Sequence, residues 1–285
     1  MNSVQLIECP RDAMQGITAF IPTELKIKYH QSLLKVGFHT IDIGSYVSPK
    51  SIPQMQDTDF ILHNIGEEKG NTQLLVIVAN KRGADSACQN PYVDYIGFPF
   101  SVSETFQQRN TNQNLTQAFE LVQEIQSLCK RHQKKLVIYL SMAFGNPYGE
   151  KWDTDITLAW ALRMQTLGIE VISFADTVGT ASTFDIAKTF TAVSTLAGPT
   201  WGAHLHSNPN TWQEKIAAAW EAGCRRFDGA IGGFGGCPFA KDELVGNIAT
   251  ENLYSFITSK VPDFKLNTHE LQKSIEISHN VFQHH

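Results

Sequence analysis

The sequence predicts an α/β protein built as a (β/α)8 TIM barrel, a single domain with a short C-terminal helical extension. Three observations point there. Short apolar, β-rich runs alternate eight times with longer amphipathic stretches. The runs are almost continuously apolar, as in parallel sheets covered by helices. A chain of 285 residues also has the usual length for eight such units. The other arrangement this alternation allows is an open, doubly wound sheet.

The strand candidates, in order, are VQLIE (4–8), HTIDIG (39–44), QLLVIVA (73–79), VDYIGF (93–98), LVIYLS (136–141), EVISFA (170–175), WGAHLH (201–206) and RRFDGA (225–230). Between and after them lie helical stretches at 23–36, 53–65, 81–89, 114–132, 153–167, 182–197, 210–222 and 247–258. Thr23 and Glu24 open the first of these behind Pro22, and Asp153 and Asp155 open the fifth, where negative charge suits a helix N-terminus. Gly37, Gly168, Gly198 and Gly223 each follow a periodic stretch, the place of a C-terminal glycine. The barrel is therefore expected over 1–260. The polar tail 261–285, with THELQKSIEISHNVF, reads as a helix or partly disordered extension.

Composition excludes several classes. Hydrophobic residues make up 42% and aromatics 10%, enough for a large core. Net charge is −5 and pI about 6.0, with no long basic run, which argues against a nucleic-acid partner. No apolar stretch approaches the ~20 residues that cross a membrane, and the N-terminus lacks a signal-peptide layout. The five cysteines are odd in number, widely spaced and without a Cys-x-x-Cys, so free thiols in a reducing cytoplasm are expected.

In such a barrel, chemistry sits at the carboxyl ends of the strands. Polar residues collect there: Arg11 and Asp12 after strand 1, Asp42 on strand 2, Asp176 and Thr177 after strand 6, and Cys237 and Asn247 after strand 8. Strand 7 carries His204 and His206. Residues two apart in a strand share a face, so both imidazoles converge as a metal site requires. Each residue has a structural alternative. Asp176 would cap a helix, Asp42 would hold Arg11, Arg11 and Asp12 would form an ion pair, and Cys237 would be a small buried hydrophobe. Gathered on one rim, the set points to a site.

The segments ECPRDAMQG, GSYVSPKSIPQM, SETFQQRNTN, GNPYGEK, ADTVGTAS, GAHLH and GGFGGCPFA…GNIATENL stand in order over about residues 4–256. In this combination the chain resembles the 3-hydroxy-3-methylglutaryl-CoA lyase family of the DRE-TIM metallolyase superfamily. The resemblance implies a divalent cation, Mg²⁺ or Mn²⁺, held by Asp12, His204, His206 and Asn247. It implies catalytic roles for Arg11, Asp42, Asp176 and Cys237, an acyl-CoA substrate, and a homodimer. The reaction implied is retro-Claisen cleavage to acetyl-CoA and acetoacetate, in which a metal acidifies the tertiary alcohol, a cation meets the enolate oxygen, and a thiol handles a proton. Whether Cys237 acts as acid or base is left open.

Several positions depart from the family pattern. Asp42 replaces the family's glutamate and is shorter by one methylene, about 1.5 Å. RDGLQNE reads RDAMQGI, with Ala13 and Gly16. Ser207 replaces an aspartate after the histidine pair, and Met142 and Asn146 replace cysteines. The loop from Cys237 to Asn247 is one residue longer and carries Lys241, Asp242 and Glu243. No P-loop is present. Lys50 and Arg109, read as lying in rim loops, are the cations available to phosphates. A metal-dependent aldolase or Claisen-type synthase acting on an oxo acid, and a non-catalytic barrel used for binding, are the alternatives.

Overall fold

In the computed structural model, which describes residues 3–236 and 245–282, each of the eight apolar runs becomes a strand. They are β1 (Gln5–Glu8), β2 (Thr40–Ser45), β3 (Gln73–Ile77), β4 (Tyr95–Ser101), β5 (Lys135–Ser141), β6 (Val171–Ala175), β7 (Thr200–His204) and β8 (Arg226–Gly229). Every strand pairs in parallel with the next, and β8 closes on β1 with Ile7 opposite Asp228 and Glu8 opposite Gly229. The sheet is a closed barrel, and its strands leave no open edge among the described residues.

Eleven α-helices surround it among the described residues: α1 (Pro10–Met14), α2 (Thr23–Leu34), α3 (Thr58–Ile65), α4 (Lys81–Gln89), α5 (Glu104–Thr111), α6 (Leu115–Arg131), α7 (Thr154–Thr166), α8 (Thr183–Ser194), α9 (Trp212–Glu221), α10 (Thr250–Lys260) and α11 (Thr268–Val281). Local chemistry sets their ends. Asn114 and Gln117 form a reciprocal capping box on α6, and Asp153 caps α7 through Ile156 N at 2.9 Å. Past α7 and α9, Gly168 and Gly223 take φ of +74° and +97°, where a side chain would strain the turn.

Alternation along the strands divides the core in two. The larger part lies between sheet and helices. A smaller cluster of Leu75, Ile77, Tyr95, Val137, Tyr139 and Val171 fills the barrel interior. The interior also takes the fully buried Arg226, whose stem runs past Gly202. A Cβ there would lie 3.1 Å from Arg226 Cδ and 2.9 Å from Ser173 Oγ, so only glycine leaves it room.

The structure departs from the sequence reading at several edges. The helices α1 and α5 lie outside the predicted helical stretches, and α5 holds Arg109, expected in a loop. The first has five residues, and the second buries only Phe106 and Gln107, too little for a periodic signal. The stretch 53–65 is a 3₁₀ turn (Pro53–Met55) followed by α3. β7 stops at His204, leaving His206 outside the strand in an isolated bridge to Asn247, and α10 starts at Thr250 rather than 247.

Helix α11 crosses from one end of the barrel to the other. Asn267 N donates to Val36 O before β2, Ser274 Oγ meets Ser32 Oγ of α2 at 2.9 Å, and Phe282 stacks on Phe234 after β8. No helix among the described residues is long and apolar enough to cross a membrane. Cys9, Cys88, Cys129 and Cys224 are buried and free.

Candidate active site

Directly after β1 the chain turns into α1, with Pro10 at its first position, which presents Arg11 and Asp12 at the rim. Arg11 is almost fully buried yet saturated with partners. Its Nε and Nη2 donate to Asp42 Oδ2 at 3.0 and 2.6 Å, and its Nη1 donates to Asp12 Oδ1 at 3.2 Å and Gln15 Oε1 at 2.8 Å. Gln15 Nε2 closes the ring by donating to Asp12 Oδ1 at 2.9 Å. Burial works against the guanidinium charge, but Asp42 and Asp12 outweigh it and hold Arg11 above its ordinary range. Burial lifts Asp42 to about 6 against the pull of Arg11, so it is ionised at neutral pH.

Asp12 also faces the histidines. Ligand atoms of Asp12, His204 and His206 all lie within 4.8 Å of one another. His204 Nε2 and His206 Nε2 approach to 3.3 Å, while His204 Nδ1 sits 3.2 Å from Asp228 Oδ2. A proton on Nδ1, donated to Asp228, leaves the Nε2 lone pair bare. This is the arrangement in which a second carboxylate orients a metal-ligating imidazole. Burial opposes charge on Asp12, but Arg11, both imidazoles and Asn247 hold it below the usual carboxylate range. Burial and the neighbouring His204 lower His206 to about 4, so it is neutral near pH 7. Two facing imidazole nitrogens beside an ionised carboxylate are a donor set that fits a divalent cation.

Asn247 joins this group through its neighbour. Its Nδ2 donates to Asp12 Oδ2 at 2.7 Å and to Phe234 O at 2.9 Å. Gly235 presses against the same spot at φ +102°, where a Cβ would come within 2.7 Å of Asn247 Nδ2 and 2.9 Å of Asp12 O. The glycines of GGFGG allow that approach.

Asp176 lies apart. It is fully buried, its Oδ2 meets Lys215 Nζ at 2.7 Å, and its Oδ1 accepts from Ala181 N at 3.0 Å. Lys215 Nζ also donates to the backbone oxygens of His206 at 2.9 Å and Gly179 at 2.8 Å. Asp176 thus acts on His206 from behind, through Lys215. Cys237 lies outside the described residues. A cavity of about 560 Å³ opens over Arg11, Asp12, Gln15, His204 and His206, with Tyr139, Phe106 and Arg109 among its walls. Arg109 belongs to helix α5, not to a loop, with its guanidinium 4.7 Å over the Tyr148 ring. Lys50 is exposed and outside that lining.

Three participants escaped the sequence reading. Gln15 stands three and four residues after Asp12 and Arg11, a helical spacing that marks it once α1 is known. Asp228 sits inside a strand run, and the pairing of β8 with β1 is what brings it to the interior. Lys215 is one polar residue within α9 and carries no signal of its own.

A barrel with an arginine–carboxylate pair and a two-histidine, one-aspartate cluster under its carboxyl-end cavity defines an enzyme scaffold of the metal-capable α/β class. The HMGL-like family model matches residues 4–277, and the chain belongs to that family. It is hydroxymethylglutaryl-CoA lyase-like, an enzyme of the carbon–carbon lyase type. A hydroxymethylglutaryl-CoA lyase of Bacillus subtilis is 30% identical over 249 residues, 86% of this chain and 81% of that protein. An (R)-citramalyl-CoA lyase of Chloroflexus aurantiacus is 28% identical over 264 residues, 89% of this chain and 83% of its own length. An HMG-CoA lyase from Acinetobacter baumannii, solved with coenzyme A and 3-methylmalate, superposes with TM-score 0.90 at 28% identity, covering 99% of this chain and 92% of that one.

Proposed function

We propose that this chain is a divalent-metal-dependent lyase that cleaves 3-hydroxy-3-methylglutaryl-CoA, or a close branched 3-hydroxyacyl-CoA, to acetyl-CoA and a 3-oxo acid, acetoacetate for the parent substrate. One observation carries the reading: Arg11 and the Asp12–His204–His206 cluster face the same cavity, linked by the Arg11–Asp12 contact at 3.2 Å. A retro-Claisen cleavage needs both, one for the substrate hydroxyl and one for the enolate oxygen.

Asp12, His204 and His206, with Asn247 beside them, would hold a Mg²⁺- or Mn²⁺-class ion, which would supply acidity to the substrate hydroxyl. The chain's own residues do the rest. Arg11 offers a permanent positive charge to the thioester oxygen as the carbon–carbon bond breaks and its electrons move into the enolate. Asp42 fixes the guanidinium. The alcohol carbon becomes the new ketone as the hydroxyl proton leaves. A base of the site takes up the hydroxyl proton and one proton is returned to the enolate carbon, giving acetyl-CoA with no net change in protons; the family resemblance places Cys237 in this exchange, as acid or as base. Asp176 serves as a positioning residue for His206. Arg109 lines the cavity and is the candidate cation for a coenzyme A phosphate, and the coenzyme A held by the Acinetobacter relative supports an acyl-CoA partner. A homodimer and a cytoplasmic location belong to the same reading.

The test follows acetyl-CoA release by the purified chain with Mg²⁺ or Mn²⁺. The substrates are hydroxymethylglutaryl-CoA, a longer-branched analogue and citramalyl-CoA, the last because a citramalyl-CoA lyase is among the relatives. Release from one of them, lost on removing metal, supports the reading. No release from any, with metal bound, favours an oxo-acid aldolase or synthase. No release and no metal bound favours a binding barrel.

A further inference from the structure

We propose that Cys9, His204 and Asp228 form a second cation site, on the inner side of His204, for a thiophilic divalent ion of the zinc class. Cys9 directly follows β1, and His204 and Asp228 lie on the adjoining strands β7 and β8. Asp228 pairs in register with Ile7, two residues before Cys9, and β7 pairs with β8 beside them. Their ligand atoms, one sulfur, one nitrogen and one oxygen, lie within 4.8 Å of one another. The His204 Nδ1 to Asp228 Oδ2 separation of 3.2 Å matches an edge of a tetrahedron with bonds of about 2.0–2.2 Å. A second observation is independent of the spacing. The Asp228 side chain is 0% exposed, and its Oδ1 has no hydrogen-bond partner among the described residues. A carboxylate oxygen left bare in an interior is costly until something positive meets it. The Tyr139 hydroxyl, also buried and unpartnered, belongs to a ring 5.6 Å from His204 and is available as a neighbouring donor.

The donor set selects the ion. Thiolate and imidazole favour zinc-class cations, whereas the outer group, without sulfur, suits harder ones. The two sites share one imidazole, and a neutral imidazole has one lone pair. An ion on Nδ1 therefore sends the ring proton to Nε2 and the thiol proton to solvent. The outer group then keeps only Asp12, His206 and Asn247. Zinc-class ions antagonise the outer ion by taking His204 from it. This second half rests on the outer-site reading proposed above.

The experiment titrates Co²⁺ into metal-free, full-length protein and follows the near-ultraviolet thiolate-to-cobalt charge-transfer band. The expected result is a band in the wild type, in Asp12→Ala and in Cys237→Ala, and none in Cys9→Ala. If Cys9→Ala fails to fold, Cys9→Ser preserves the volume and should likewise show none. A band that survives loss of Cys9, or no band in the wild type, overturns the site. Either result leaves the lyase assay unaffected, so the two readings fail separately. The coupling is read by Mn²⁺ paramagnetic resonance. Zn²⁺ should displace Mn²⁺ from wild type at concentrations about tenfold or more below those needed with Cys9→Ala, which removes the thiolate ligand. Equal displacement overturns the antagonism.

Discussion

Arg11 grips a single oxygen of Asp42. Its Nε and Nη2 both reach Oδ2, at 3.0 and 2.6 Å, while Oδ1 has no hydrogen-bond partner among the described residues. A full fork would use both oxygens, and the shorter acid at this position brings only one within reach. Asp42→Asn keeps the shape and removes the charge that holds the guanidinium. It should lower kcat/KM by about 10²-fold, as loss of one preorganised electrostatic contact does, with metal affinity preserved. Asp42→Glu adds a methylene to a buried site and should shift preference within the acyl-CoA panel rather than abolish turnover. Steady-state kinetics across the panel check both. An Asp42→Asn enzyme at full activity would remove Asp42 from the machinery.

Asp228 reaches the candidate metal cluster only through His204. Asp228→Asn should weaken Mn²⁺ binding by about 10–100-fold, because an amide in place of the carboxylate removes the negative charge that holds the ring proton on Nδ1 and raises the basicity of the ligating nitrogen. Titration monitored by Mn²⁺ resonance gives the constant directly. Asp12→Ala should abolish binding, so the two variants separate a ligand from a residue that orients one. Unaltered affinity in Asp228→Asn would mean that the charge of Asp228 does not tune His204 as a ligand.

Glu8 predicts a pH dependence of stability. Its side chain is fully buried between β1 and α10. Oε1 accepts from Ile231 N at 2.9 Å, and Oε2 accepts from Thr250 Oγ1. Burial raises its carboxyl from 4.5 to about 8 despite these bonds. A folded-state acid with a raised pKa binds its proton where the unfolded chain has lost it. Stability therefore falls as pH rises between about 4.5 and 8, by on the order of a few kcal/mol. Glu8→Gln mimics the protonated form. It should match wild type near the acid end of that window and exceed it near pH 8, measured by denaturant midpoints. A gap between the two proteins that does not widen with pH would contradict the burial argument.

The barrel was legible because each strand is a short apolar run and several of the long helices, α6 most clearly, carry a 3.6-residue apolar stripe. These are properties of single segments. Helix α1 was not legible because five residues are too few to repeat a pattern, and α5 because it buries only two of its residues. Arg11, Asp12, His204 and Asn247 were legible for a different reason: once a barrel is assumed, strand ends share one rim. His206 lies in the cluster although it has left the strand whose periodicity suggested it, and the bridge to Asn247 is what returns it. Asp176 shows the limit of that logic. Its strand ends at the rim, but the side chain turns back to Lys215, a direction set by a helix 39 positions away in sequence. Asp228 was hidden by its own strand, since nothing local distinguishes an inward carboxylate from an outward one.

The last contact to test joins the end of the chain to the site. Phe282, 4% exposed, stacks on Phe234 with ring centres 4.4 Å apart and planes at 18°, and meets Tyr29 edge-on at 6.2 Å. Phe234 O accepts from Asn247 Nδ2, which also donates to Asp12. The stack therefore fixes the backbone that orients a candidate ligand. Phe282→Ala should cost roughly 2–4 kcal/mol of stability, somewhat less than a central Phe→Ala because the residue lies at a helix end. It should also weaken Mn²⁺ binding several-fold at temperatures where the protein remains folded. Phe282→Leu keeps apolar volume without the ring, so it should recover most of the stability and only part of the metal affinity. Thermal unfolding and Mn²⁺ resonance on the same preparations separate the two effects. A fall in stability with metal affinity unchanged in both variants would confine Phe282 to holding α11 on the barrel.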